Sequence, residues 1–421
     1  MLSELYQGSA EHQQRRYVQA VERFAGRFGD TLAAVFSAPG RTELCGNHTD
    51  HQRGRVLAAA VTLDIAAVAS PTESRVIRLF SESFDRMYEV GIDSLSPRAD
   101  EKNTPAALIR GVTARLSELG YKVGGFNALA ASQIPVGSGL SSSAAFEVLV
   151  GTIQNHLYNS GKISALEIAK IGQYAENAYF GKPCGLLDQA TSSIGGVVHI
   201  DFNEPSAPVV EKLDMPRWGF DICIVNTGGS HAGLTSEYAD IPREMREVAA
   251  YFGCEALREV DREKFTAEMS TIRKTMPDRA VLRAMHFFSE NERVLRQVES
   301  IRERRWGDYV AAMIESGHSS FMLLQNVYPL SSSAERGNAL ALAVSEKLLK
   351  GKGAWRIHGG GFAGTVQALV PCDCTDDYQE KMESLFGEGS VCRLAIRPCG
   401  GHMLASLSPT RQESSHWLSS T

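Results

Sequence analysis

Apolar residues in the first half of the chain come in runs of strand length, "GRVLAAAVTLDIAAVAS", "RVIRLFSES" and "GGFNALAASQIP". Glycine, proline or charged residues bound each run, and that punctuation predicts strands. From Ser142 to about residue 156 the spacing becomes helical. The polar opening stretch "MLSELYQGSAEHQQRRYVQAVERF" reads as an amphipathic helix, without the apolar centre and small-residue cleavage site of a signal peptide. This mixture predicts an α+β fold rather than a regular βαβ winding.

The second half opens with a strand at 221–227, continues through charged helical segments over about 236–322, and closes with strand-like "GTVQALV" and "CRLAIRPCG". Helices beside an antiparallel sheet fit a second α+β domain. Between the halves lies "NEPSAPVVEKLDMPRWG", rich in proline and polar residues, which places the boundary near Pro208 and gives domains 1–208 and 209–421. No internal repeat recurs at a fixed period, and "SPTRQESSHWLSST" reads as a solvated tail.

A chain of 421 residues, 43% of them hydrophobic, is long enough for two cores. A formal charge of −6 gives no general attraction to nucleic acid or to anionic membranes, so an anionic ligand needs a local site. That points to small-molecule partners. No apolar run reaches transmembrane length. The eight cysteines lack paired CxxC spacing, which argues against zinc and for a reduced, cytoplasmic protein. Oligomeric state is not legible.

Three glycine-bearing stretches hold the candidate chemistry. In "IPVGSGLSSSAAFEVLVG", Gly137 and Gly139 allow a tight turn with inward N–H groups, and the following helix presents its positive N-terminus to the same point. Ser141, Ser142 and Ser143 add hydroxyls for phosphate or for Mg2+, which takes few protein ligands; a plain helix-capping loop is the alternative. The lysine of the P-loop and the third glycine of the dinucleotide fingerprint are both absent. "HGGGFAGTVQALV" marks backbone that approaches a ligand or another segment closely. "GRTELCGNHTDHQRG" groups Arg41, Asn47, His48, Asp50 and His51, a set open to a metal, a sugar or a turn, although no strong metal-ligand spacing is present.

Read in order, these motifs resemble the GHMP small-molecule kinases and, within them, the galactokinases. That family carries a pattern close to "GRVNLIGEHTDY", then "PxGxGLSSSA", then "GGGFGG", with "AEN" and "GxxDQ" between the last two. The counterparts here are "GRTELCGNHTDH", "PVGSGLSSSA" and "GGGFAG", with "AEN" at 175–177 and "GLLDQ" at 185–189. The resemblance implies an N-terminal domain like ribosomal protein S5 domain 2, a ferredoxin-like second domain, and an active site in the cleft between them. It implies transfer of the ATP γ-phosphate to the anomeric hydroxyl of a sugar. By the same resemblance Gly137, Ser138, Gly139, Leu140, Ser141, Ser142 and Ser143 wrap the triphosphate, and Ser143 and Glu176 hold magnesium. Asp188 faces the sugar O1, with Arg41 between it and the γ-phosphate. Tyr238, in "TSEYADIPRE", and Ser81 correspond to sugar-side and adenine-side positions.

Asn47 departs from the family glutamate, which accepts from the sugar 6-hydroxyl. The exchange removes a charge and supplies a donor, so galacturonate stands as the alternative to galactose, the more so because plant galacturonate kinases carry "DHQGG" where this chain has "DHQRG". Asn47, His48, Asp50, Tyr238 and Asp188 form the expected sugar site. A non-catalytic galactose and ATP sensor is a further alternative, but the "GLSSSA" segment that such sensors lose is intact. In "HGGGFAG" a methyl at Ala363 is expected to crowd the backbone if that position requires positive φ.

Overall fold

The computed structural model describes residues 2–6, 10–29, 31–135, 138–182, 184–216, 218–229, 233–331, 334 and 336–407. Its strands are β1 (Ala33–Cys45), β2 (Arg55–Thr72), β3 (Val76–Ser81), β4 (Arg86–Gly91), β5 (Gly125–Ser132), β6 (Val197–Asp201), β7 (Val209–Leu213), β8 (Phe220–Asn226), β9 (Ala354–Ile357), β10 (Thr365–Pro371), β11 (Val391–Leu394) and β12 (His402–Leu407). The larger sheet runs β12-β1-β2-β5-β3-β4, with β6 and β7 attached to β2, and the smaller one runs β11-β8-β10-β9.

The alanine-rich β2 is the spine of the larger sheet. One edge pairs antiparallel with β1, while the other is shared, its Ile65–Thr72 half by β5 and its Arg55–Ala59 half by β6. Alternation along the strands sends Phe36, Ala38, Ala67 and Ala69 into the main core and Val35, Ala66 and Val68 into a second one. The helix Ser142–Asn159 supplies Ala145, Val148 and Leu149 to the first face, and the helix Ala10–Phe28 supplies Tyr17, Val21 and Phe24 to the second. A sheet covered on both faces leaves room only for small or apolar side chains, hence the near-continuous hydrophobic run of β2. The smaller sheet is likewise packed between helices, with Tyr309 and Met313 of Trp306–Ser319 on one side and Ala341 and Leu342 of Gly337–Leu349 on the other.

The α+β class agrees with the sequence expectation, but the sheets do not divide at residue 208. β7 pairs with β6 across that point, and β12 returns from the end of the described chain to pair with β1. Residues 203–208 of that polar, proline-bearing stretch are the β6–β7 hairpin connection, because the residues that make linkers also make turns, and the chain passes to the smaller sheet only after β7, before β8 begins at Phe220. Four distant segments meet at buried Asp64, which accepts from Tyr6, Arg16, Ser37 and Arg397, the last at 3.0 Å. The tail expected after residue 407 lies outside the described residues.

Candidate active site

Arg41 lies near the C-terminal end of β1, and Asp188 in the first turn of the helix Leu187–Ile194. Arg41 Nε donates to Asp188 Oδ1 at 2.7 Å, and Arg41 NH1 donates to the Gly139 carbonyl. The hydroxyl of Ser141 donates to the other oxygen, Asp188 Oδ2. Burial alone would raise the Asp188 carboxyl, but Arg41 and the two hydrogen bonds outweigh it and hold the group below its ordinary value. Asp188 is therefore an ionised acceptor beside a fixed cation.

The loop carrying Gly139 reaches this pair through two left-handed residues, Gly139 (φ 72°) and Ser141 (φ 55°), before the helix Ser142–Asn159 begins. The N-cap residue Ser141 makes no side-chain cap bond, so the first-turn N–H groups, which have no intrahelical partner, are not taken up by its hydroxyl. The backbone of Leu140 is pinned to β1 by the Arg41 N–H at 3.0 Å, and the Ser138 hydroxyl closes the turn onto Pro135 at 2.7 Å. Ser142 and Ser143 occupy the first helical turn. Gly137 falls outside the described residues.

Ser143 Oγ donates to Glu176 Oε1 at 3.1 Å, which is close to the ~3 Å between adjacent oxygen ligands of Mg2+ bound at about 2.1 Å. Lys182 Nζ also lies 3.1 Å from Glu176 Oε1, and Gln189 Nε2 bridges Glu176 to the buried Glu147. Among the described residues no group of three or more His, Cys, Asp or Glu forms a metal cage. A hydroxyl and one carboxylate are nonetheless a donor set that fits magnesium, which keeps several waters.

The opening cluster and the glycine loop meet across the cleft. Three consecutive loop carbonyls accept from three expected sugar-site side chains: Gly359 from Asn47 Nδ2 at 2.6 Å, Gly360 from His48 Nε2 at 3.0 Å, and Gly361 from the Tyr238 hydroxyl at 2.8 Å. The glycines are there because backbone runs against side chains. A Cβ at 360 would lie 2.7 Å from the Tyr238 ring, and one at 361 would lie 2.2 Å from the Asn326 carbonyl. The left-handed non-glycine residue of the loop is Phe362 (φ 62°), not Ala363, so the methyl at 363 meets no positive-φ requirement. His358, wedged between the hydroxyls of Thr42 and Thr365, is held neutral by burial, its pKa pushed down to about 3. Burial also lowers His48, to about 4.

A cavity of about 270 Å³ is lined by Arg41, Asn47, His48, Asp50 and Asp188, together with Lys182. It brings the expected sugar and catalytic residues together except Tyr238, which reaches the same loop from the helix Thr235–Tyr251; the described residues expected at ATP, Ser138–Ser143 and Ser81, do not line it. Ser81 ends β3 opposite Ala130 of β5, the strand that leads into the Gly139 loop. A larger cavity, about 970 Å³ beside Trp218 and Lys212, contains none of these groups. Sequence reading missed Glu43, Lys182, Asn326 and Arg356. Glu43 had a signal, since it follows Arg41 by two residues on one strand and so shares its face; the others come from remote segments.

The fold and this arrangement define a GHMP-type small-molecule kinase. Residues 107–196 match the family model of the GHMP kinases N terminal domain, and residues 22–71 match the galactokinase galactose-binding signature. The chain is 31% identical to a galactokinase of Actinobacillus pleuropneumoniae over 371 residues, 87% of this chain and 91% of that one. It is also 31% identical to one of Streptomyces coelicolor, covering 88% and 93%. The structure superposes on that of the Lactococcus lactis galactokinase complexed with galactose with a TM-score of 0.79 at 26% identity, over 92% of this chain and all of that one. A mevalonate kinase structure, 15% identical with a TM-score of 0.62, shares the fold alone. The chain belongs to the galactokinase family.

Proposed function

We propose that the protein is an ATP-dependent sugar 1-kinase that transfers the γ-phosphate of ATP to the anomeric hydroxyl of D-galactose, giving galactose 1-phosphate. The observation that carries this reading is the Arg41–Asp188 pair, set against the N-terminus of the helix Ser142–Asn159 on the wall of the cavity. In the reaction, the loop at 137–143 would receive the triphosphate on backbone N–H groups and hydroxyls. Ser143 and Glu176 would hold Mg2+, which when bound supplies charge neutralisation at the phosphates. Ser81, at the entry to the loop, is the adenine-side candidate.

Asp188 would accept from the sugar O1 hydroxyl and align it on the γ-phosphate, while Arg41 neutralises the equatorial charge. A carboxylate held below its ordinary pKa is a weak base, which suits an orienting acceptor in a loose transition state that needs little deprotonation of the nucleophile. His48, Asp50, Tyr238 and the Asn47 region would form the sugar-recognition wall. The intact Arg41, Asp188, Ser143 and Glu176 speak for turnover rather than a sensor role. Eight cysteines without a disulfide suit a reducing cytoplasm.

The test is ADP release by purified protein with ATP, Mg2+ and galactose, with the product identified by phosphorus NMR. Galactose 1-phosphate is the expected product. ATP turnover that stays at background with galactose overturns the reading.

A further inference from the structure

Set residue by residue against the family pattern "GRVNLIGEHTDY", the segment "GRTELCGNHTDH" differs at five positions, 42, 43, 45, 47 and 51, and two of these differences are linked. The family has asparagine where this chain has Glu43 and glutamate where it has Asn47. The amide and the carboxylate have exchanged positions, and the fold holds them together: Asn47 Nδ2 donates to Glu43 Oε1 at 3.1 Å.

The Asn47 side chain is spent on the protein. Its two N–H donors go to Glu43 and to the Gly359 carbonyl, its oxygen accepts from Asn326 Nδ2 at 2.8 Å, and the residue is 1% exposed. Glu43 is placed differently. Its Oε1 takes both Asn47 and the fully buried guanidinium of Arg356, at 2.7 Å. Its Oε2 has no protein partner among the described residues, and Glu43 lines the same cavity as Arg41 and Asp188. Among the described residues Arg356 Nε and NH1 are buried without partners, and the carboxylate at 43 is the one group there that pairs with this cation at contact distance.

We propose that Glu43 sets the hydroxyl specificity of the sugar site: its Oε2 accepts the 6-hydroxyl that the family glutamate accepts from the other position, and Asn47 positions Glu43 and the glycine loop without touching sugar. The proposal rests on the galactose 1-kinase reading and deepens it. It also removes the reason for preferring a uronic acid, because the carboxylate missing at 47 stands at 43 beside it.

The test measures kcat and KM for galactose, 6-deoxygalactose and galacturonate, with thermal melts, on the parent chain, Glu43→Gln, and the exchange variant Glu43→Asn with Asn47→Glu. A hydrogen bond to a charged group predicts that the parent favours galactose over 6-deoxygalactose in kcat/KM by about tenfold to a hundredfold. Glu43→Gln should lose most of that preference through KM with kcat nearly kept, and should accept galacturonate relatively better. The exchange variant should recover the preference. A purely structural Glu43 would lower the melting temperature and leave the ratio between sugars unmoved, which overturns the proposal, as does an exchange variant with no regained preference. A parent chain without galactose turnover overturns the galactose 1-kinase reading; turnover with an unchanged sugar ratio in Glu43→Gln overturns only the role of Glu43.

Discussion

Arg41 Nε and Asp188 Oδ1, 147 residues apart in sequence, sit 2.7 Å from one another. Their pairing joins the end of β1 to the first turn of Leu187–Ile194 and fixes the charge state of the acceptor. Asp188→Asn should lower kcat by about 10²–10³ with little change in the KM for sugar, because the amide keeps the shape and loses the charge. Steady-state kinetics on the folded variant check this.

Arg41→Met should lower kcat and also move the pH profile. Arg41 is the strongest of the groups that depress Asp188, so its loss lets burial raise that carboxyl. The acidic limb of kcat/KM should then shift to higher pH, which a profile over pH 4–8 measures.

Gly139→Ala should weaken ATP binding more than sugar binding. The residue has φ 72°, and its Cβ would lie 3.0 Å from His358 Nδ1. A left-handed alanine costs roughly 1–2 kcal/mol, so the KM for ATP should rise about tenfold while that for sugar changes little.

Asp64→Asn should destabilise the fold by about 3–5 kcal/mol, since it strands the buried guanidinium of Arg397 and the partly buried one of Arg16. Burial opposes ionisation of Asp64, but Arg16 and Arg397 outweigh it and depress the carboxyl below its unfolded value. Its ionic contribution is therefore present above about pH 3.9 and is lost as pH falls through the lower folded value. Urea denaturation should show a large parent-to-variant gap at pH 7 that narrows toward pH 3.

His358, 3% exposed and held neutral with a pKa near 3, predicts acid sensitivity in a different window. The unfolded chain binds this proton below about pH 6.5 and the native state does not, so stability falls as pH drops from there. At pH 5.5 the loss from this one group is ~1.4 kcal/mol relative to pH 7.5. His358→Asn should flatten that part of the urea-midpoint profile.

Sequence alone determined the features that live on short stretches of chain. The strand-length apolar runs became β2, β3 and β5, the helical spacing from Ser142 became Ser142–Asn159, and the resemblance of the ordered motifs to the galactokinases pointed to Arg41, Ser143, Glu176 and Asp188. Such features are local: alternation, turn chemistry and helix-start residues are read within a few residues. Tertiary structure decided the partnerships. Only packing could return β12 to β1, place β7 in the first sheet rather than at a domain break, or set Arg356 beside Glu43 across 313 residues. The same holds for Asn47. As a letter it is a lost charge; in the fold its amide is saturated by Glu43, Gly359 and Asn326, because burying an amide obliges it to find partners wherever the chain brings them.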